Sequence, residues 1–575
     1  MNPSRTLDLV LMWHMHQPDY RDHASGEFML PWVYLHAIKD YTDMAWHLEH
    51  HPGVHAVVNW VPVLLDQLED YADQFQGGRL RDPLLRLLAR DEARPLNGDE
   101  RVLVAERCLS VESLGMIRHY PHYKRLFELY WSFEAKGQAA LAYLSDRFYY
   151  DALVWFHLSW TGETVRRESE LVTRLMAVGE LFTQQQRGDL FRLIGELVDG
   201  VVGRYARLAR SGQIELSTTP HNHPLAPLLI DFQSAREAEP KAQLPEAADY
   251  PGGRGRVIAQ LHSALESHAR RFGAAACGLW PAEGSISENL LRMLRGNGLG
   301  WVASGERVLA NSLRAAGQPA ESKAGYLYRP YRLATAPDLA LFFRDDQLSD
   351  RIGFEYQKWY GSDAAANFVG ELERIAAEAG DGERPLVSVI LDGENAWEHY
   401  PYNAYYFLKA LYQSLETHAF IRPTTYAAYL RQNTDTAGAA APAATHRLER
   451  LVAGSWVYGT FSTWIGSHDK NRAWDLLCAA KQSFDLVSAS GRLDAQRSAE
   501  AERQLADCEG SDWFWWFGDY NSGAAVANFD RLYRAKLANL YRVIGLPIPA
   551  ALAEPISHGH GDPEGGGSMR RGSEG

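Results

Sequence analysis

The chain alternates between short apolar runs and longer amphipathic segments. Apolar runs rich in Val, Ile and Leu are typical of strands buried on both faces, whereas apolar residues spaced three and four apart predict helices. The runs predict strands at 7–13, 55–60, 213–217, 275–280, 300–305, 339–343 and 386–391. Most of them are followed by helical patterns, such as SENLLRMLRGNG after the fourth run. This alternation predicts an α/β fold with a parallel sheet, either open or closed.

Several segments depart from this alternation. Residues 78–210 have a helical period and predict a large helical insertion within a catalytic domain of residues 1–432. The small, polar stretch at 433–445 predicts a linker or an exposed loop. Residues 446–555 predict a mainly helical C-terminal region, and the glycine-rich end, 556–575, predicts a disordered tail.

Composition restricts the kinds of ligand. The chain has 575 residues, of which 46% are hydrophobic and 23% charged, as is ordinary for a globular protein. Its net charge of −14 argues against nucleic acid and anionic membrane surfaces as partners, because binding phosphate requires a surplus of Lys and Arg. Aromatic residues make up 11% of the chain and supply flat apolar faces. These faces suit a neutral ligand such as a sugar, although a core rich in aromatic residues would also explain them.

Cysteine usage and the first residues bear on location. Four cysteines without CxxC spacing indicate neither a disulfide framework nor a thiolate metal site. Residues 1–13 lack the basic start and cleavage site of a secretory signal, and no apolar run is long enough to cross a membrane. We therefore expect a cytoplasmic protein.

Polar side chains follow the first predicted strand. In WHMHQPDY, His14 and His16 alternate with Met15, so both imidazoles point to the same face of the strand. The pair could bind a metal ion, since neutral imidazole is a common ligand, or donate hydrogen bonds to a polar substrate. A third interpretation places both rings inside the core with their hydrogen bonds satisfied.

The third predicted strand contains a carboxylate. In GQIELSTTPHNHPLAPLL, Glu215 lies in an apolar run, and His223 follows in a turn flanked by prolines. A carboxylate in such a strand is costly unless it is paired or faces a polar cleft. We favour the cleft.

Two further carboxylates stand at strand ends. Glu283 follows Trp280 in GLWPAEGSIS, and Asp392 opens LDGENAWEHY, 109 positions later (392 − 283). A barrel or twisted sheet would bring both to one rim, and cleavage of a glycosidic bond requires two such carboxyl groups. Spacing alone does not separate their roles. Helix capping could explain Asp392, and the dipole of the next helix could explain Glu283.

Together with FSTWIGSHDKNRAWDLL at 461–477, these stretches resemble the five ordered motifs of glycoside hydrolase family 57, a group of retaining enzymes that act on α-glucans. The resemblance implies a (β/α)7 barrel followed by a helical region that helps to close the active site. It also implies that Glu283 is the nucleophile and Asp392 the general acid/base, with no metal ion or organic cofactor. By similarity, the residues around the scissile bond would be His14, His16, Glu215, His223, Trp280, Trp397 and Trp464.

The two roles imply different protonation states. Asp392 must be protonated in the first step near neutral pH, so we expect it in a less solvated or more acidic environment than Glu283. Negative charge on Glu283, with Glu394 and Glu398 nearby, would raise the pKa of Asp392.

Within the family, LDGENAWEHY resembles amylases and amylopullulanases more than branching enzymes. We therefore expect an α-amylase-like hydrolase of α-1,4-glucosidic bonds, with an amylopullulanase or a 4-α-glucanotransferase as the alternative. Two rivals come from other classes. One is a metal-dependent hydrolase that uses His14, His16, His223 and Asp392 as ligands, and the other is a non-catalytic glucan-binding protein.

Overall fold

The computed structural model describes residues 6–91, 93–318, 322–379, 384–435 and 445–561. In this part of the chain, seven parallel strands form a curled central sheet, labelled β1 to β7 along the chain. They are β1 (Leu7–Met15), β2 (Ala56–Trp60), β3 (Ile214–Thr218), β4 (Gly278–Leu279), β5 (Trp301–Gly305), β6 (Ala336–Arg344) and β7 (Leu386–Asp392). Each overlaps a predicted run, so the expected strands are confirmed.

The strand order makes the sheet a barrel. It runs β7-β1-β2-β3-β4-β5-β6, and the two ends approach where the backbone N–H of Asp345 donates to the carbonyl of Ser388 at 2.8 Å. Five shorter strands accompany it in the described residues. Ile421–Pro423 lies parallel to the start of β1, and Tyr331–Leu333 pairs antiparallel with β6 and parallel with His446–Leu448. Arg21–Asp22 and Glu27–Phe28 form a separate antiparallel pair.

Alternation along β1 shows how the barrel is filled. Val10 and Met12 belong to a cluster inside the barrel with Trp301 and Phe342, whereas Leu9, Leu11 and Trp13 belong to the outer layer against the helices. Because side chains alternate between the two faces of a strand, the next even position, His14, also points inward at the mouth.

Helices surround the sheet and fill the insertion. The helices between and after the strands are Trp32–His36, the π-helix Ala37–Tyr41, Thr42–Glu49, Pro62–Gly77, Ala226–Ile230, Ala235–Ala238, Gly253–Phe272, Glu288–Leu294, Glu306–Ala315, Lys323–Tyr326, Asp346–Asp350, the π-helix Arg351–Glu355, Gly361–Glu378, Tyr405–Thr417 and Tyr426–Asp435. Those of the insertion are Pro83–Leu88, Gly98–Cys108, Leu114–Ile117, Pro121–Glu134, Gln138–Leu141, Asp146–Trp160, Glu163–Glu168, Glu170–Val178 and Gln184–Arg210. Among the described helices, none combines the length and the apolar character that a membrane crossing requires.

The C-terminal helical region covers the mouth of the barrel. Its main helices are His468–Ala489, Ala495–Cys508, Asp512–Trp516 and Gly523–Val543. The buried ammonium group of Lys536 donates to Asp19 at 3.3 Å and to the carbonyl of Arg21 at 3.1 Å, both in the loop after β1. Glu509 accepts from Arg256 at 2.6 Å on the other side of the mouth. Buried ionic contacts therefore join this region to the barrel.

Three sequence-based boundaries differ from the structure or lie outside it. The helix expected directly after Asp392 begins only at Tyr405, so Asp392 does not cap it. The predicted tail begins too early, because Ile556 and Ser557 are buried and their N–H groups donate to Asp530. Most of the predicted linker, 436–444, and the end of the chain, 562–575, lie outside the described residues.

Close packing in the barrel makes a specific glycine indispensable. A Cβ atom at Gly278 in β4 would lie 1.8 Å from the Trp301 ring. We expect Gly278→Ala to lower the free energy of unfolding by about 1–3 kcal/mol, because neither residue can move in a filled barrel. Urea unfolding followed by tryptophan fluorescence measures this change.

The matched control is Gly188→Ala in the helix Gln184–Arg210, where nothing lies within 4 Å of the added Cβ. Its unfolding free energy should stay the same or rise by about 0.5–1 kcal/mol, since alanine favours a helix interior. Equal unfolding midpoints for the two variants would refute the packing argument.

Candidate active site

The carboxyl ends of the parallel strands meet at one face of the barrel. In the sheet register, His14 of β1 lies beside Asp392 of β7 on one side and Asn59 of β2 on the other. Glu283 follows β4 across the barrel. Because parallel strands end on the same face, side chains that are hundreds of positions apart in sequence share one mouth.

Three imidazoles form a stack in this mouth. The rings of His16 and His223 lie 3.8 Å apart, and that of His14 lies 5.1 Å from His223. His14 Nδ1 lies 2.7 Å from Asn59 Oδ1, and His14 Nε2 lies 3.2 Å from His223 Nε2. Burial lowers the pKa of His14 to about 3 and that of His223 well below its usual value. Both rings are therefore neutral at pH 7.

The hydrogen bonds of these rings lead to Glu283. Asn59 Oδ1 is within hydrogen-bond distance of His14 Nδ1, and His14 Nε2 is within hydrogen-bond distance of His223 Nε2. His223 Nδ1 lies 2.8 Å from Ser511 Oγ. The Ser511 hydroxyl donates to Glu283 Oε1 at 2.9 Å. One chain of hydrogen bonds thus links Asn59 to the nucleophile candidate.

Glu283 lies on a strained turn directly after β4. Its φ is +59° and that of Gly284 is +58°, in the left-handed region that most residues avoid. The turn directs the buried carboxyl into the mouth, where Oε2 accepts from Trp456 Nε1 at 3.1 Å. Strain of this kind persists only where surrounding contacts hold it, and it concentrates at functional sites.

The surroundings of Glu283 favour its protonated form. Burial raises its pKa to about 8, and the negative charges of Asp512 and Asp392 add to the rise. Hydrogen bonds from Ser511 and Trp456 act in the opposite direction. The influence of Asp392 places the two carboxyl groups within electrostatic reach of each other.

The pKa of Asp392 is raised less than that of Glu283. Burial raises its pKa to about 6, against the hydrogen bond from Asn395 at 3.0 Å and the charges of His16 and Arg344. The expectation that Asp392 has the less solvated or more acidic surroundings is therefore wrong. The larger rise belongs to Glu283, whose carboxyl is more deeply buried and faces two acids.

Two acids follow Asp392 closely in sequence. Glu394 Oε1 accepts from the backbone N–H of His16 at 3.1 Å and from Gln17 at 3.3 Å, while Glu398 is exposed. Glu394 is buried, and its own pKa is raised well above the usual value, first by burial and then by Asp392. Glu394 and Asp392 therefore lie within electrostatic reach of each other.

Glu215 lies elsewhere, which corrects the expectation that it lines the same subsite. Its position near the start of β3 places it towards the opposite end of the barrel. There Oε1 accepts from Trp301 Nε1 at 2.6 Å, and Oε2 accepts from the N–H of Ala427 at 2.9 Å. The carboxyl group is hydrogen-bonded there and lines a cavity at that end of the barrel, so Glu215 faces a cleft, but not the one that holds the other predicted residues.

Two of the predicted tryptophans are also structural. Trp397 is buried, donates to the carbonyl of Gly393 at 2.9 Å and packs edge-on against Trp13 in the outer layer. Trp464 is fully buried in the C-terminal helical region beside Trp515, with the ring centroids 5.7 Å apart. Neither ring has a free face for a sugar.

Trp280 forms the floor of the site. It is fully buried, with ring centroids 6.3 Å from His14 and 5.3 Å from Trp456. A Cβ at Gly284 would lie 2.7 Å from its ring, so the turn that carries Glu283 rests on it. Six of the nine predicted residues are thus brought together: His14, His16, His223, Trp280, Glu283 and Asp392.

Four residues that the sequence did not point out complete the mouth. Asn59 ends β2 and could have been found by inspecting every strand end. Ser511 and Asp512 begin a short helix in the C-terminal region, and Trp456 lies in a loop. Ser511 and Asp512 open the aromatic stretch SDWFWWFGDYN, but nothing in it shows that they reach the site, because all three do so only through the packing of the C-terminal helical region on the barrel.

The residues of the metal-dependent rival do not form one ligand set. His16 and His223 have Asp512, not Asp392, as the third group, and the three ligand atoms lie within 4.8 Å of one another. His16 Nε2 already bonds to Asp512 at 2.9 Å, and both nitrogens of His223 are engaged by His14 and Ser511. A metal ion would have to displace these hydrogen bonds.

A second group, Asp19, His23 and Asp507, also has ligand atoms within 4.8 Å of one another. Lys536 lies 3.3 Å from Asp19 and 3.7 Å from Asp507, so an ammonium group already occupies the position of a cation. Burial lowers the pKa of His23, but bonds to the two carboxylates outweigh it and raise the value to about 9. This group is a buried ion cluster.

Comparison with known proteins agrees with this geometry. The model of glycosyl hydrolase family 57 matches residues 10–441. The branching enzyme of Pyrococcus horikoshii has a similar fold, with a TM-score of 0.55 and 16% identity over 97% of this chain and 99% of that chain. The α-amylase AmyC of Thermotoga maritima has a TM-score of 0.52 and 13% identity, over 94% of this chain and 97% of that chain. The 4-α-glucanotransferase of Thermococcus litoralis has a TM-score of 0.50 and 13% identity, over 94% of this chain and 60% of that chain. No curated protein sequence matches.

The raised pKa of Glu283 makes stability depend on pH. A carboxyl whose pKa is raised from 4.5 to about 8 in the folded chain contributes stability that is complete below pH 4.5 and is lost as the pH rises through 8. Glu283→Gln imitates the protonated form, so its melting temperature should exceed that of the wild type at pH 9. The difference should shrink towards pH 5. Thermal unfolding at both values measures it.

Glu398→Gln is the control, because this exposed carboxyl lies in the same motif as Asp392. Its melting temperature should follow that of the wild type at both pH values. A Glu283→Gln chain that is less stable than the wild type at pH 9 as well as at pH 5 would contradict the shift.

The engaged imidazoles predict that activity does not depend on a metal ion. Dialysis against a chelator should leave the rate of glucan cleavage unchanged, because His16 and His223 already have hydrogen-bond partners. Elemental analysis of the purified protein gives an independent readout. Zinc near one equivalent, together with activity lost on chelation and restored by zinc, would establish the metal-dependent rival.

Proposed function

Because the chain belongs to glycosyl hydrolase family 57, we propose that it cleaves α-1,4-glucosidic bonds of α-glucans by double displacement with net retention. The observation that carries the proposal is the pair of carboxyl groups at strand ends. Glu283 is held by Ser511 and Trp456, and Asp392 lies within its electrostatic reach. Retaining glycosidases require this combination of a fixed nucleophile and a partner that exchanges a proton.

The first step transfers the sugar to the enzyme. Protonated Asp392 donates its proton to the glycosidic oxygen while the carboxylate of Glu283 attacks the anomeric carbon. The glycosidic bond breaks and a bond from Glu283 to the sugar forms. In the second step, Asp392 accepts a proton from water, and the resulting hydroxide displaces Glu283. The two inversions restore the α-configuration.

The reacting state needs the proton on Asp392, whereas burial favours it on Glu283. One proton must therefore leave the Glu283 carboxyl and one must be bound by the Asp392 carboxylate before the first step. The Ser511 hydroxyl and the indole N–H of Trp456 then donate to the ionised Glu283 and stabilise its charge.

A transferase is the second candidate. Burial of Glu283 limits the access of water to the glycosyl-enzyme, and this favours attack by a sugar hydroxyl. The relatives with similar folds include a branching enzyme and a 4-α-glucanotransferase, and their low identity makes them evidence for the fold alone. An amylopullulanase on the same frame would in addition cleave α-1,6 bonds.

Product analysis distinguishes these activities. On amylose, we expect short malto-oligosaccharides that are α-configured at early times by NMR. Glu283→Gln should lose at least about 10³-fold in kcat, because the amide cannot form the covalent intermediate. If the number of reducing ends stays constant while the chain lengths are redistributed, the enzyme is a transferase. Cleavage of pullulan would identify α-1,6 activity.

Asp392→Asn provides the matched control for the two roles. With an aryl α-maltoside whose leaving group needs no protonation, this variant should retain the first step, and added azide should restore turnover as an α-glycosyl azide. Glu283→Gln should show neither effect. The reverse pattern would exchange the roles of the two carboxyls.

A cytoplasmic location, with glycogen or imported maltodextrin as the substrate, is also a proposal. All four cysteines lie in the described part of the chain and are unpaired, as is usual in a reducing compartment. Fractionation of cells from the source organism tests it, and recovery from a periplasmic or extracellular fraction would overturn it.

A further inference from the structure

Exposed aromatic side chains concentrate in one patch of the surface. The described residues include seven exposed tyrosines and tryptophans: Trp131, Tyr143, Trp359, Tyr360, Tyr402, Tyr406 and Tyr520. Four of the seven, Trp359, Tyr360, Tyr402 and Tyr406, come from two adjacent segments and form what we call the aromatic patch. Tyr360 is 83% exposed and Tyr402 58% exposed. Exposure of several large apolar rings together is uncommon unless they bind something.

The patch lies on the same face of the barrel as the active site. Trp359 and Tyr360 directly precede the helix Gly361–Glu378, which follows β6, and Tyr402 precedes the helix Tyr405–Thr417, which follows β7. Helices that follow barrel strands begin on the face where those strands end. Asp392 is at the end of β7, so the patch borders the loops that carry the catalytic acid.

A glycine brings the two segments together. A Cβ at Gly361 would lie 2.6 Å from the backbone nitrogen of Phe407 and 2.8 Å from the carbonyl carbon of Tyr406. The two helix starts therefore touch through their backbones, which places Tyr360 next to Tyr406. Behind the surface, the Trp359 ring packs edge-on against the buried ring of Tyr356, with centroids 5.5 Å apart.

The backbone that presents Tyr402 is strained and pinned. Tyr402, Asn403 and Ala404 have φ values of +54°, +49° and +59°, three consecutive left-handed residues without a glycine. Asn403 is buried, where its amide donates to Asp43 at 2.8 Å and its carbonyl accepts from Lys39 at 3.2 Å. Two buried contacts thus hold a costly turn that leaves Tyr402 in solvent.

Polar groups accompany the rings. A cavity of about 450 Å³ is lined by Gln357, Lys358, Trp359, Tyr360, Asp363 and Pro401. Lys358 and Asp363 offer a donor and an acceptor of opposite charge beside two aromatic faces. A surface for another protein's apolar core would exclude such charges, whereas a sugar ring presents both C–H faces and hydroxyl groups.

We propose that the aromatic patch is a second binding site for α-glucan, which holds a distal part of the polysaccharide while another part is cleaved. This inference rests on the proposed function for the identity of the ligand. The preformed rings would stack on successive glucose units, and the charged groups would bond to their hydroxyls. A site of this kind raises the local concentration of substrate for long chains and does nothing for short ones.

The test compares a polysaccharide with a short substrate. In the Glu283→Gln background, which leaves the polymer intact, native electrophoresis through gels containing amylopectin measures the dissociation constant. Trp359→Ala combined with Tyr360→Ala should weaken binding about tenfold, the factor that corresponds to about 1.4 kcal/mol. Tyr143→Ala is the matched control, because this tyrosine is 85% exposed and lies in the helical insertion.

The same double variant with Glu283 intact should keep its kcat/KM on maltotetraose while its KM for amylopectin rises. Tyr402→Ala should have an intermediate effect on amylopectin. The proposal would be overturned if amylopectin in the gel slowed the double variant as much as it slows the chain with the patch intact. So would an equal loss on both substrates, which would assign the patch to the catalytic site or to the stability of the fold.

Other outcomes separate this proposal from the proposed function. A wild type that cleaves maltotetraose but shows no patch-dependent binding of amylopectin supports the function and overturns the second site. A wild type that cleaves no glucan but binds amylopectin through the patch supports the site and overturns the function. Loss of a dimer in the double variant by size-exclusion chromatography, with unchanged binding of amylopectin, would make the patch a contact between two copies and overturn the proposal.

Discussion

One hydroxyl group joins the two parts of the molecule at their chemical centre. Ser511 belongs to the C-terminal helical region, and its Oγ contacts His223 and Glu283, which both belong to the barrel. The backbone N–H of Ser511 also donates to the carbonyl of His223 at 2.9 Å. The site is therefore complete only when the helices cover the barrel, and the ion cluster around Lys536 keeps them there. Closing the mouth in this way removes water from Glu283, which is the first cause of its raised pKa. The covering region that completes the site thus also favours a proton on Glu283, against the hydrogen bond from Ser511 itself.

Acids buried near the mouth need a compensating positive charge, and Arg344 supplies one. Arg344 at the end of β6 donates to Asp346 and Asp350, each at 2.8 Å, and to the carbonyl of Ile390 in β7. Its guanidinium also lies 5.4 Å from the centre of the Trp456 ring, and Trp456 is the residue that donates to Glu283. Arg344 therefore lies against the Trp456 ring that donates to Glu283. Its charge also lowers the pKa of Asp392 directly. Breaking such a pair by removing one partner leaves a buried charge without compensation, which costs about 3–5 kcal/mol.

Local patterns predicted the strands and placed Glu283 and Asp392 at strand ends, but they did not predict all of the surroundings of these two carboxyls. Apolar runs identify β1 to β7 because a strand covered on both faces is mostly apolar, and the residues at the strand ends then follow from topology. His14, His16, His223, Glu283 and Asp392 were found in this way.

Glu215 was misplaced because the pattern shows that an acid lies in a buried strand but not which end of the barrel it faces. Asp512, Ser511 and Trp456 were not predicted as site residues, because they approach from another part of the chain and the sequence does not show which barrel residues they meet. The expected protonation order failed for a related reason, since desolvation depends on that same covering region.

Two turns on the face of the barrel where the strands end have a strained backbone. Left-handed non-glycine residues are rare, yet Glu283 and the run Tyr402–Ala404 both occur in turns on the side of the barrel where the strands end. In each turn, a buried contact holds the costly conformation: the Trp280 floor beneath Glu283 and Gly284, and the bonds of Asn403 to Asp43 and Lys39. Packing alone does not require such turns, because a glycine or a longer loop would relieve them without loss of core. What both turns achieve is the orientation of one side chain, Glu283 into the closed mouth and Tyr402 into solvent. Strain held at these two places thus directs Glu283 into the mouth and Tyr402 to the surface, which is what the proposed role of each residue requires.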